Sequence, residues 1–180
     1  MIFSLIPFPV QDLPDITIQG QVSRKKNRFS VHYHVAGNIG GIFLPSPIAN
    51  STRKDDLWQT TCFEFFIATK ESAGYWEFNL SPSGEWNVYV MDAYRQVNMR
   101  EERGIQRLHF KAQRDTEYFS LKTELDLSPI IPKELPIKAG ITCVIQASSG
   151  RNSYWALIHP HTEADFHLRE SFVFEFPYTA

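Results

Sequence analysis

Apolar and polar residues alternate with a period of two through most of this chain. The pattern is visible in residues 16–22, 29–35, 58–68, 75–81, 85–91, 105–112, 118–126, 141–148, 153–158 and 171–176. Successive side chains of a strand point to opposite faces, so this period predicts half-buried β-strands. Turn residues punctuate the runs, among them Ser81-Pro82-Ser83-Gly84, Ser128-Pro129, Ala139-Gly140 and Ser149-Gly150-Arg151-Asn152. Only residues 71–73 and 132–135 suggest even a helical turn. The predicted fold class is all-β: an antiparallel β-sandwich of two packed sheets with very little helix, in one domain spanning residues 1–180. A closed barrel would present nearly the same pattern and is the second architecture.

Taken face by face, the alternation separates a core from a chemically distinct surface. In residues 58–68 one face collects Phe63, Phe65 and Ile67, while the other collects Trp58, Thr60, Cys62, Glu64 and Phe66. Residues 75–81 divide into Trp76, Phe78 and Leu80 against Tyr75, Glu77, Asn79 and Ser81; residues 85–91 divide into Trp86, Val88 and Val90 against Glu85, Asn87, Tyr89 and Met91. In 141–148, Ile141, Cys143, Ile145 and Ala147 oppose Thr142, Val144, Gln146 and Ser148. If these strands are neighbours, Glu64, Glu77, Asn79, Asn87, Tyr89 and Gln146 share one surface, with Trp58 and Trp155 beside it. Amides and carboxylates can bond adjacent hydroxyls while an indole covers an apolar C–H patch, which is the chemistry of a sugar site. An ordinary half-exposed sheet is also polar on its outer side, but Lys, Thr, Ser and Arg would then be expected to dominate it.

Composition adds limits. Aromatic residues make up 14% of the chain, with fourteen Phe and four Trp, which suits a pleated packing surface. A formal charge of -2 leaves no general attraction for nucleic acid or anionic lipid. The basic run Arg24-Lys25-Lys26-Asn27-Arg28 is expected to be a solvated hairpin turn. The apolar start carries no basic residue ahead of it and is broken by Pro7 and Pro9, so neither an export signal nor a membrane anchor is expected. Cys62 and Cys143 fall on opposite faces and are expected to be free thiols in a cytoplasmic protein.

The run from Asp56-Leu57-Trp58 through Cys62-Phe63-Glu64-Phe65, followed by Tyr75-Trp76-Glu77-Phe78-Asn79-Leu80-Ser81-Pro82-Ser83-Gly84-Glu85-Trp86-Asn87, resembles the DOMON-like and family-nine carbohydrate-binding-module superfamily. Ser153-Tyr154-Trp155-Ala156-Leu157-Ile158-His159-Pro160 and Asp165-Phe166-His167 look like a bacterial DOMON-like subgroup. The resemblance implies an immunoglobulin-like, jelly-roll-like sandwich that binds either a sugar or haem. In the sugar-binding branch tryptophans clamp the ring and carboxylates and amides hold its hydroxyls. That role falls here to Trp58, Glu64, Glu77 and Asn79, with Trp155 a second indole and Arg95 a further hydroxyl ligand. The expected function is therefore non-catalytic binding of a small carbohydrate or sugar derivative, with no cofactor and no catalytic or metal-binding residues.

Other readings follow from particular residues. A haem-binding domain would need Met91 or Met99 with His159, His161 or His167 as axial ligands. His159, His161, Asp165 and His167 invite a metal reading, against a capped loop in which they bond backbone or contact the ligand. Glu64 and Glu77 could form the acid pair of a glycosidase. A structural or partner-docking sandwich would bury Trp58 and Glu64 and bond them internally. Nothing in the sequence specifies an oligomeric state.

Overall fold

A computed structural model describes residues 1–95 and 99–177. Twelve strands form: β1 (Ile2–Pro7), β2 (Ile16–Lys25), β3 (Arg28–Gly37), β4 (Cys62–Thr69), β5 (Tyr75–Leu80), β6 (Trp86–Met91), β7 (Arg100–Glu101), β8 (Phe110–Arg114), β9 (Tyr118–Asp126), β10 (Ile137–Gln146), β11 (Asn152–Ala156) and β12 (Phe174–Phe176). Helix among the described residues is limited to three single 3-10 turns. The strands lie in one antiparallel sheet in the order β7-β6-β5-β4-β10-β11-β1-β2-β3-β9-β8, with β12 beside the start of β10.

Hydrogen bonding passes from one half of this sheet to the other through β1. Its first residues pair with β2 and its last two, Ile6 and Pro7, with Ala156 and Trp155 of β11. The sheet curls at this strand, and its two halves face each other across the core. Phe29 of β3 lies 5.5 Å from Phe65 of β4, and Phe119 of β9 stacks on Phe63 at 5.3 Å. Tyr33 crosses the same core and donates its hydroxyl to the Glu64 carbonyl oxygen at 2.6 Å. A buried phenol needs such a partner, and this one ties the two halves together.

The all-β, antiparallel character matches the alternation, and Phe63, Phe65, Ile67, Phe78, Leu80, Trp86 and Val88 are core as their phase requires. Three local expectations are corrected. The N-terminal segment is a strand, because its alternation of Phe3 and Leu5 with exposed Ile2 and Ile6 meets partners distant in sequence. The strand containing Glu64 begins at Cys62, since a 3-10 turn at Leu57–Gln59 takes Trp58 out of it. The turn between β2 and β3 is not wholly solvated: Asn27 is buried, and Arg24 and Asn27 bond the carbonyls of Leu135, Lys133 and Ile131.

After β11 the chain doubles back over the outer face of the β4–β5–β6–β10 half. Phe172 stacks on Phe66 at 5.5 Å, and Arg169 donates to the carbonyls of Thr69, Ser72, Ala73 and Gly74 in the turn between β4 and β5. The sheet is bare where Phe172 lands: a Cβ on Gly140 would sit 2.9 Å from its ring. Phe172 is fully buried, so Phe172→Ala should cost about 3–5 kcal/mol, read as a lower urea midpoint in equilibrium unfolding.

Candidate functional site

Antiparallel register decides which side chains meet on this outer face. Thr142 of β10, Glu64 of β4, Asn79 of β5 and Asn87 of β6 form one rung across four strands. Phe66, Glu77 and Tyr89 form the next. Side chains opposed in this way lie about 5 Å apart at Cβ. The polar residues read from separate strands therefore do converge, with one difference: the face is buried rather than half exposed, by the C-terminal segment over Phe66 and Tyr75 and by Arg53, Asp55 and Trp58 over Asn87 and Tyr89. Glu64, Glu77, Asn79, Asn87 and Tyr89 are all buried.

Between sheet and C-terminal segment lies a cleft of ≈ 300 Å³. Glu64, Glu77, Val144 and Tyr154 contribute from the sheet and Trp58 from the 3-10 turn, while Ala164, Phe166 and His167 line the C-terminal side. Arg95 and Met99 complete the lining. Asn79 donates from Nδ2 to Glu77 Oε1 at 2.8 Å. Glu64 Oε1 has no hydrogen-bond partner among the described residues, and neither has Thr142 Oγ1 beside it.

Burial raises both acids, and Glu77 adds to the rise at Glu64. Burial, then the neighbouring charge of Glu77, drives the Glu64 carboxyl well above the carboxylate range. Burial likewise lifts Glu77 to about 7, against an opposing pull from the Asn79 hydrogen bond. Cys62, on the same face, is pushed up by burial and then by Glu64. His167 moves the other way: burial lowers it to about 4, leaving a neutral ring whose Nδ1 is hydrogen-bonded with the Tyr75 hydroxyl at 2.9 Å.

Asp165 holds one wall. Its Oδ2 accepts from Tyr94 at 2.6 Å and from Arg95 Nε at 3.1 Å, and its Oδ1 accepts from the His167 amide at 2.9 Å. Burial alone would raise this carboxyl, but those hydrogen bonds outweigh it and hold it below the ordinary range. The loop after β6 is thereby fastened to the C-terminal segment.

Of the residues expected at the site, Trp58, Glu64, Glu77, Arg95 and His167 line the cleft, and Asn79 and Asp165 support lining residues. Asn87 and Tyr89 share the face but are engaged elsewhere. Asn87 accepts from Arg53 at 2.5 Å and donates to Asp55, Tyr89 and Glu101; Tyr89 donates to Asp55 at 2.6 Å and packs edge-on to Trp58. Gln146 lies at the end of β10, bonded to Asn152 at 3.2 Å. Trp155 is corrected outright: it opposes Cys143, which puts it on the core face with Nε1 bonded to Ser153. Its neighbour Tyr154, opposite Val144, takes the place expected for a second indole.

His159 is also away from the cleft, bonded through Nε2 to the Ile6 carbonyl and packed on Phe8. His161 lies 3.7 Å from Glu170. No cluster of three or more His, Cys, Asp or Glu with metal-binding geometry occurs among the described residues. His159, His161 and His167 thus each have a different partner, Ile6, Glu170 and Tyr75.

No protein-family model matches the sequence, and no curated protein matches it. Solved structures do share the fold. A protein described as carbohydrate-binding from Bacteroides uniformis ATCC 8492 is 12% identical, with a TM-score of 0.67 over 95% of this chain and 83% of its own. Two structures of a family 9 carbohydrate-binding module from Caldicellulosiruptor kristjanssonii, in complex with glucose and with cellotriose, are each 12% identical. Their TM-scores are 0.50 and 0.51, over 82% and 85% of this chain and 69% and 71% of theirs. The class these likenesses define is an architecture: the curled all-β fold seen in carbohydrate-binding modules.

A raised carboxyl pKa has a thermodynamic consequence. Between the ordinary value of 4.5 and about 7, Glu77 holds its proton in the folded protein but not in the unfolded chain. Its contribution to stability is therefore greatest below pH 4.5 and is lost as pH rises to about 7. His167 acts oppositely between pH 4 and 6.5, so the comparison must be made against a variant. Relative to Glu77→Gln, the wild type should lose stability as pH rises across that window, measured by urea unfolding at successive pH values.

Proposed function

We propose that this protein is a non-catalytic binding domain for a small carbohydrate, with the curled sheet a variant of the β-sandwich of carbohydrate-binding modules. The observation that carries this reading is the unpartnered Oε1 of Glu64 beside Glu77, both residues lining a cleft walled by Trp58. Buried polar atoms are rarely left without partners, and a ligand hydroxyl reaching the cleft floor would supply one. Trp58, Tyr154 and Phe166 offer aromatic surface for the C–H face of a ring. The volume lies at the small end for ligand pockets, in keeping with one sugar ring rather than a polymer.

A purely structural role accounts well for Asn87 and Tyr89, whose bonds are complete, but leaves Glu64 without a partner. For haem, Met99 and His167 do line the same cleft, yet its ≈ 300 Å³ is tight for a tetrapyrrole and the Nδ1 of His167 is already engaged by Tyr75. The glycosidase reading has its two acids side by side, both raised; their burial on one rung and the next suits ligand holding.

Calorimetric titration with monosaccharides and short oligosaccharides, glucose and cellotriose included, tests the proposal. At least one should bind, and Trp58→Ala should weaken it by about tenfold or more, equivalent to ~1.4 kcal/mol. Binding indifferent to that substitution, or hydrolysis of aryl glycosides that vanishes in Glu77→Gln, would refute it.

A further inference from the structure

The sugar-binding reading can be sharpened from the balance of donors and acceptors in the cleft. Two carboxyl groups face it, and neither is ion-paired among the described residues. The one hydrogen bond to the pair from a neighbouring amide is Asn79 to Glu77 Oε1; Glu64 Oε1 is unpartnered, and the residue is 2% exposed. The nearby bases are committed. Arg95 is held by Asp165 at 3.1 Å, and His167 is a neutral ring tied to Tyr75. The cleft floor thus holds two acids with no base paired to them, and the one guanidinium in the lining is matched by Asp165.

A neutral hydroxyl answers this only in part, since it brings one proton and two lone pairs that themselves require donors. An ammonium brings three donors and no acceptor, which complements the pair once its carboxyls give up the protons that burial makes them hold. The remaining lining favours the same charge, because Trp58, Tyr154 and Phe166 present aromatic surface within one small cleft. Positive charge taken from water is stabilised by aromatic faces and by acids that ionise beside it, and here the two stand together.

Building on the carbohydrate reading, we propose that the ligand carries a primary ammonium group, as in an unacetylated amino sugar, seated on Glu64 and Glu77 with its ring against Trp58. The groups around the pair leave its titration distinct. Cys62 on β4, Tyr75 on β5 and Tyr89 on β6 are pushed up by burial, as are Tyr33 and Cys143 on the core side. His167 is lowered to about 4, Asp165 is held down and Arg95 is held up. Seating an ammonium ionises the carboxyl pair, so binding releases protons.

The experiment is calorimetry on the intact wild-type protein with glucosamine, N-acetylglucosamine and glucose at pH 7, repeated in two buffers of different ionisation enthalpy. Glucosamine should bind at least about tenfold more tightly than either other sugar, with net proton release. Its affinity should fall between pH 7 and pH 5 as the pair takes up protons. Glu64→Gln should narrow the preference for glucosamine over glucose to less than about threefold. Glucose or N-acetylglucosamine binding as well as glucosamine, or glucosamine binding without proton release, overturns this proposal while leaving the carbohydrate reading intact. No binding by any sugar, in this set or in the wider panel, overturns both.

Discussion

Every side chain of β4 is withdrawn from water, and the rest of the molecule is arranged around that fact. Phe63, Phe65 and Ile67 enter the core between the two halves of the curled sheet, while on the other face Phe66 and Ala68 pack with Phe166 and Phe172 of the returning C-terminal segment, and Cys62 and Glu64 are buried beside them. A strand covered on both sides is ordinarily apolar throughout. Here Glu64 interrupts the run, and the neighbouring strand adds Glu77 and Asn79. Buried acids are tolerated when they hold protons or are met by hydrogen bonds, and both devices operate in this face. The cleft is thus a consequence of double coverage: the same segment that excludes water from Phe66 leaves a gap over Glu64.

The contacts that shape the gap are directional rather than merely apolar. Asp165 draws Tyr94, Arg95 and the His167 amide to one point, and Arg169 spreads its guanidinium over four carbonyls of the β4–β5 turn. Both are fixed by groups that would otherwise lack partners, which makes the segment's path well defined even though it carries little regular structure.

Period-two alternation was enough to separate Phe63, Phe65 and Phe78 from Glu64, Glu77 and Asn79, because those faces differ sharply in polarity. It failed where they do not. Residues 153–156 divide into Ser153 with Trp155 and Tyr154 with Ala156, neither pair plainly apolar; only pairing with β10 reveals that Tyr154 faces the cleft. The cover over the face was equally hidden. His167, Arg169 and Phe172 meet partners some 90 residues or more away in sequence, and alternation carries no information at that range. The engagement of Asn87 by Arg53 and Asp55 was hidden for the same reason, since both partners lie in an irregular loop.

The strand at the fold line carries a kinetic implication. Ile6 of β1 pairs with Ala156 of β11, so the ladder that joins the two halves links positions about 150 residues apart. Local hairpins such as β2–β3 and β4–β5 can zip as soon as both of their strands exist, but this junction must wait until nearly the whole chain is at hand. Loop-closure entropy makes so distant a pairing slow. Assembly should therefore run through two preformed half-sheets, joined late by a strand that belongs to both, and the cleft under the C-terminal segment would be among the last features to take shape.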